Sequence, residues 1–254
     1  MKKNIGFIGG GRITMIFLQA FRNKGFNPEK IVVFDISNEV LLALQQKFPT
    51  VEISSLGEAA SQDIVFIALH PPVIMDTLEL IKGNILPASC VISLAPKVTM
   101  EKISAKLNGL RNVARMIPNA TSYINKGYNP VCFSKEFSDK EEILEMMKLL
   151  GDNFITDEPK MEAYAIASAM LPTYFWFQWQ EMHQIGMKMG LNEIEARETV
   201  EKTLTAAIET MYHSGLNYEE VIDLIPVKPI AAHEPQIKEI LSITLSALFE
   251  KIKA

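Results

Sequence analysis

Over its first 156 residues the chain alternates short runs rich in β-branched and aromatic residues with amphipathic segments, and no other feature narrows the choice of fold as much. The runs read NIGFI, KIVVFD, VEI, DIVFIAL, CVISL, NVARMI, PVCFS and DNFIT. Between them lie helical periodicities such as 14–23, NEVLLALQQKF, PVIMDTLELI, TMEKISAKL and DKEEILEMMKLL. Strand and helix patterns in alternation predict a parallel sheet covered by helices on both faces. DIVFIAL is apolar at successive rather than alternate positions, as a strand buried on both sides must be. The expected fold is therefore α/β, a Rossmann-type doubly wound sheet.

Near Asp157-Glu158-Pro159 the texture changes, and β-rich runs give way to helical periodicities over 161–189, 192–214, 218–224 and 235–252. Asn192 and Asn217 stand where N-caps belong, and Gly190 and Gly215 where helices end. These changes predict a dinucleotide-binding domain over 1–156 and an all-helical dimerisation or substrate domain over 157–254. The second part is small for a core of its own, and its first helix is apolar on nearly all faces. A second copy of the chain is the expected cover, which makes a homodimer the expected assembly.

Composition removes several classes of function. A net charge of -5, with no basic block longer than Lys2-Lys3, argues against a nucleic-acid partner. The basic, apolar start is interrupted by three glycines and Arg12, unlike a secretory signal. The uncharged run over 163–179 contains Pro172 and Gln178 and reads as a buried or interfacial helix, not a membrane span. Only Cys90 and Cys132 are present, without a C-x-x-C partner, so neither a metal site nor a disulfide framework is expected. The chain reads as cytoplasmic.

A strand running straight into Gly9-x-Gly11 and then a helix turns the chain tightly and aims helix N-terminal N–H groups at a pyrophosphate. Gly9 is expected to make the turn and Gly11 to leave room for phosphate, with Arg12 and Ile13 opening the helix. Thr14 stands where a third glycine or an alanine is expected. Its hydroxyl is expected to bond back along the helix or to reach the phosphate.

Asp35 ends the second strand, where a carboxylate can accept both adenosine ribose hydroxyls and repel a 2′-phosphate. The other reading of Asp35 is a strand-end carboxylate that caps the next turn. No arginine follows it, although Arg12 could counter a phosphate. The expected cofactor is NAD(H) or NADP(H), with NAD(H) preferred. ALHPP and SLAPK close the fourth and fifth strands, so His70, Pro71 and Ala95 are candidates to line the ligand crevice. RMIPNAT adds Asn119, whose amide can hold a nicotinamide carboxamide or a substrate carbonyl.

Taken as a set, IGFIGGGRIT, DIVFIALHP, RMIPNAT and LLGDNF resemble the pyrroline-5-carboxylate reductase family over most of 3–151. Farther on, AYAIASAMLPTYFWFQWQEM is similar to the family's long dimer-forming helix, with Pro172 and Tyr174 matching its Gly-Pro-x-Tyr segment. The resemblance implies hydride transfer from NAD(P)H to a cyclic imine that carries a carboxylate. His70 replaces the lysine of the family's AVKP. VKPIAAHEP stands where Ser-Pro-Gly-Gly-Thr-Thr should bind the substrate, which puts Lys228 at the serine and His233 at the proton-donating threonine.

These departures leave two readings. In one, the chain is a reductase with an altered pocket, in which Lys228 supplies charge for a small acidic substrate and His233 is the general acid. In the other, Lys228 and His233 are exposed loop residues on a non-catalytic dinucleotide-binding protein used for regulation or assembly. A hydroxyacid or deazaflavin-linked dehydrogenase would share the glycine turn and the two-domain plan, but the catalytic-lysine helix of those enzymes is not evident.

Overall fold

The computed structural model describes residues 3–253. Eight strands form one sheet: β1 (Asn4–Ile8), β2 (Lys30–Phe34), β3 (Glu52–Ile53), β4 (Ile64–Ile67), β5 (Cys90–Ser93), β6 (Val113–Met116), β7 (Gly127–Phe133) and β8 (Gly151–Ile155). Their order is β3-β2-β1-β4-β5-β6-β7-β8. Helices α1 (Arg12–Asn23), α2 (Asn38–Lys47), α3 (Leu56–Ala60), α4 (Pro71–Ile81), α5 (Met100–Lys106) and α6 (Lys140–Met147) cover both faces.

The successive apolar positions of β4 explain the two-sided core. Ile64 and Phe66 join one cluster with Phe17 and Phe21 of α1, Leu41 and Leu44 of α2, and Met146 and Met147 of α6. Val65 and Ile67 point the other way, into a cluster with Ala59 of α3, Ile74 and Leu78 of α4, and Ile103 of α5. In the first cluster Phe7 stacks on Phe66 at 4.8 Å and meets the edge of Phe17. Gly6 lies in β1 because α3 presses on it: an added Cβ would sit 1.9 Å from the Ala59 carbonyl oxygen.

The alternation predicts a parallel sheet, and the structure departs from that at one pair. β6 and β7 pair antiparallel, and β8 follows β7 in parallel. The linker between them is a single 3₁₀ turn, Ala120–Ile124, ending in left-handed Asn125. A parallel crossover needs a dozen residues or more, and this linker is too short to provide one.

After β8 comes a 3₁₀ turn (Glu158–Lys160), α7 (Met161–Tyr164) and a π-helical turn (Ala165–Ala169). The single helix expected over 161–189 is thus interrupted. Pro172 has no N–H for the carbonyl of Ser168, four residues earlier. That carbonyl accepts instead from the Asn119 side-chain amide at 3.0 Å. Met161 and Ala165 are buried with Ile117 and Cys132. The first compact unit accordingly holds residues up to Met170, together with Phe249 onward, and so includes the helical turns that follow the texture change near 156.

The second unit, Leu171–Leu248, contains α8 (Leu171–Lys188), α9 (Glu193–His213), α10 (Tyr218–Asp223) and most of α11 (Glu234–Ile252). Asn192 and Asn217 each form a capping box, with Glu195 and Glu220. Gly190 and Gly215 take positive φ where α8 and α9 have ended. At Gly186 an added Cβ would lie 3.4 Å from the Ala196 Cβ, so glycine there lets α8 run close to α9. Ala196 is the one buried residue of this unit among the described residues. No helix among the described residues is long and apolar enough to cross a membrane.

Candidate dinucleotide site

The carboxyl ends of β1, β2, β4 and β5 carry the loops that hold most of the candidate residues. Strand order reverses between β1 and β4, and ligands of open α/β sheets bind at such a switch point. Gly9 follows β1 with φ of 104°, and an added Cβ there would lie 2.4 Å from the Ala68 carbonyl oxygen at the end of β4. Both the turn and the close approach exclude a side chain.

Gly11 differs from Gly9 in kind. Its backbone is extended, and an added Cβ would meet nothing within 4 Å. The protein itself does not require glycine there, so the open space is available to a ligand. Behind that space α1 begins with no side-chain cap and no acidic residue in its first turn. Its uncapped N–H groups, including those of Arg12 and Ile13, suit an anion. The Ile13 side chain is partly buried against the core, whereas Arg12 is exposed and makes no ion pair among the described residues. Thr14 is fully buried and donates its hydroxyl to the Gly9 carbonyl at 2.5 Å, so it bonds back to the turn and not toward a phosphate.

Asp35 braces the same turn from β2. Its Oδ2 accepts from the Gly10 N–H at 2.8 Å and its Oδ1 from the Ser37 N–H at 2.9 Å. The carboxylate therefore caps the next turn and is fixed in direction, while remaining half-buried. Its remaining lone pairs are open to ribose hydroxyls.

His70 is the exposed N-cap of α4 and makes no side-chain cap bond, with Pro71 in the first helical position. Ala95 is buried just beyond β5. Asn119 is buried and fully used: its amide donates to the Ser168 carbonyl and hydroxyl, and its Oδ1 accepts from the Thr121 N–H and hydroxyl. It clamps the π-helical turn, and both of its side-chain polar atoms have protein partners.

A cluster that sequence reasoning missed lies beside the β5–α5 loop. Arg115, in the middle of β6, is fully buried and forks between Glu158 and Glu162. Glu162 Oε1 also accepts from the Lys97 N–H at 3.0 Å, and Glu158 Oε1 from the Met100 N–H at 2.7 Å. The available signal was a lone arginine inside an apolar strand run, followed by two glutamates four residues apart on one helical face.

Lys228 and His233 lie in the second unit. Both are exposed, and the two share the loop that precedes α11. Lys228 lines a groove of about 580 Å³ with Tyr218, Val221, Ile225 and Ile230, whereas His233 is not among the groove's lining residues. The Glu234 carboxyl is held below its ordinary range, first by the Lys238 ammonium and additionally by Lys228. Burial pushes the Cys90 and Cys132 thiols up to about 11 and about 12, so neither is a nucleophile near neutral pH. No metal-binding group of side chains occurs among the described residues.

Comparison with known proteins points the same way. Residues 4–97 match the profile of the family described as NADP oxidoreductase, coenzyme F420-dependent. The pyrroline-5-carboxylate reductase of Haemophilus influenzae is 23% identical over 208 residues, covering 81% of this chain and 77% of that protein. The enzyme of the same name from Escherichia coli is 24% identical over 229 residues, 89% of this chain and 85% of that one. The Plasmodium falciparum pyrroline carboxylate reductase, solved with NADP bound, superposes with a TM-score of 0.84 at 22% identity, over 99% of this chain and 97% of that one. Over most of its length the chain is thus similar to pyrroline-5-carboxylate reductases, at 22–24% identity. Prephenate dehydrogenase of A. aeolicus shares the fold more distantly, with a TM-score of 0.57 at 14% identity over 99% of this chain and 87% of that one.

Proposed function

We propose that this relative of the pyrroline-5-carboxylate reductases is an NAD(P)H-dependent reductase of a C=N or C=O bond in a small acidic substrate, and that it works as a homodimer through its helical unit. The observation that carries the reading is the open space at Gly11 in front of an uncapped α1, at the switch point of the sheet. That cradle fits a pyrophosphate, which the N–H groups of the first helical turn would hold. When bound, a reduced nicotinamide supplies hydride to the substrate carbon. Asp35 would take the adenosine ribose, and its fixed negative charge favours NAD(H) over NADP(H). His70, Pro71 and Ala95 would border the same crevice.

Hydride addition leaves an anionic nitrogen or oxygen that needs one proton, and we assign that donation to His233. Lys228 supplies a point charge for a substrate carboxylate. VKPIAAHEP lacks the hydroxyls expected of the family's substrate loop, so the substrate class is wider than the cyclic imine in the relatives' names. Those names are of enzymes, which favours catalysis over regulation or assembly. The free, buried thiols accord with a reducing compartment, and we read the protein as cytoplasmic.

The test is oxidation of NADH and NADPH against a panel of cyclic imino acids and 2-keto acids. Turnover is expected with at least one, and His233→Ala should lower kcat by roughly a hundredfold, the usual worth of a general acid. Micromolar dinucleotide binding without turnover of any substrate would overturn the enzymatic reading.

A further inference from the structure

We infer that Arg115, acting through Glu162 and Glu158, is a positioning residue for the dinucleotide site: it fastens the second half of the β5–α5 loop, at Lys97 and at Met100, next to the stretch that borders the crevice. The inference rests on the reductase reading above. Lys97 occupies the left-handed region with φ of 79°, which an L side chain adopts only when its surroundings hold it there. The Glu162 carboxylate supplies that hold by accepting the Lys97 N–H at 3.0 Å. Three residues later Glu158 accepts the Met100 N–H at 2.7 Å, at the start of α5.

Each glutamate uses one oxygen, Oε1, both for its amide and for Arg115. The guanidinium fork therefore sets where the two acceptors stand, and they set where the loop stands. Glu162 is nearly as buried as Arg115 itself. Ion pairs of this kind give little net stability compared with apolar packing, so what this one contributes is geometry. The geometry in question is that of Ala95 and Pro96, which lead from β5 to the clamp along the crevice.

The experiment measures dissociation constants for NADH by fluorescence titration, alongside melting temperatures, in the full chain. Glu162→Ala should weaken NADH binding about tenfold, the equivalent of losing the hold on one left-handed residue. Adding Lys97→Gly to that variant should recover affinity to within about threefold of wild type, because glycine adopts the turn unaided. Glu162→Gln keeps an oxygen for the amide and should bind within about threefold of wild type. If Glu162→Ala does not fold, Arg115→Lys replaces it, since lysine is a point charge and cannot fork. A merely structural role would lower the melting temperature without rescue of affinity by glycine.

Unchanged NADH affinity in the folded clamp variant, or weakened affinity that Lys97→Gly does not restore, would overturn the positioning role alone. A wild-type chain that binds neither NADH nor NADPH would refute the reductase reading on which it rests.

Discussion

Gly9 and Gly11 offer a perturbation in which stability and binding separate. At Gly9, alanine would have to adopt φ of 104°, which costs an L residue ~1–2 kcal/mol. Its Cβ would also lie 2.4 Å from a backbone oxygen that cannot rotate away, and relieving such a clash costs ~1–3 kcal/mol. Gly9→Ala should therefore lose about 2–5 kcal/mol, a large part of a typical domain's stability. At Gly11 the backbone is extended and the space is empty, so alanine should leave stability unchanged or raise it by up to ~1 kcal/mol, through the unfolded state. The same methyl stands where a pyrophosphate would approach, and NADH affinity should fall by about ten- to a hundredfold, or ~1.4–2.8 kcal/mol. Urea unfolding of both variants, paired with NADH titration, reads the two effects independently. A Gly11→Ala protein that binds NADH like wild type would refute the cradle, and a Gly9→Ala protein of full stability would refute the account of the turn.

Asp35→Asn keeps one acceptor oxygen for two backbone donors, so it should cost ~1–3 kcal/mol in urea unfolding. It should also raise NADPH affinity relative to NADH; an unchanged ratio in paired titrations would remove Asp35 from cofactor choice. The cysteines make an alkaline prediction. Burial holds the folded thiols protonated up to about 11 and about 12, whereas an unfolded thiol ionises near the ordinary thiol value of 9.0. Above that value the unfolded state binds fewer protons, so stability falls as pH rises from about 9 toward 11. Melting temperatures across that range should decline more steeply for wild type than for a folded Cys90→Ala/Cys132→Ala protein, and parallel curves would contradict the assignment.

The strands were legible because residues buried on both faces leave continuous apolar runs, and IVFI in β4 divides cleanly between the two core clusters. The reversal of β7 was not, because the length of a linker decides it and periodicity carries no information about length. Asn119 shows a different limit. Its residue type admits a ligand carboxamide or a backbone carbonyl equally well, and only the interruption at Pro172 creates a carbonyl that needs it. Arg115 was hidden for the opposite reason: its partners lie 43 and 47 residues away, and nothing local to NVARMI requires them. Gly9 and Gly11 look alike in GGGRIT and are separated only by backbone φ and by what surrounds the missing Cβ.

The helical unit carries this reasoning to assembly. Ordering a residue costs ~1–2 kcal/mol of backbone entropy, which apolar burial must offset. Between Leu171 and Leu248 only Ala196 is buried among the described residues, while Phe175, Trp176, Phe177, Ile240 and Ile243 stand exposed. Helices this bare do not hold themselves in place, and a second copy that covered the same faces would supply the missing burial. Folding of the unit and association would then be one equilibrium, and its stability would depend on protein concentration. Both tryptophans of the chain, Trp176 and Trp179, lie on α8, so intrinsic tryptophan fluorescence reports on this unit alone. Dilution from micromolar to nanomolar protein should shift their emission to the red in step with dissociation measured by sedimentation. A sedimenting monomer with unshifted emission would mean that the unit holds its structure unaided, and the homodimer would lose its physical basis.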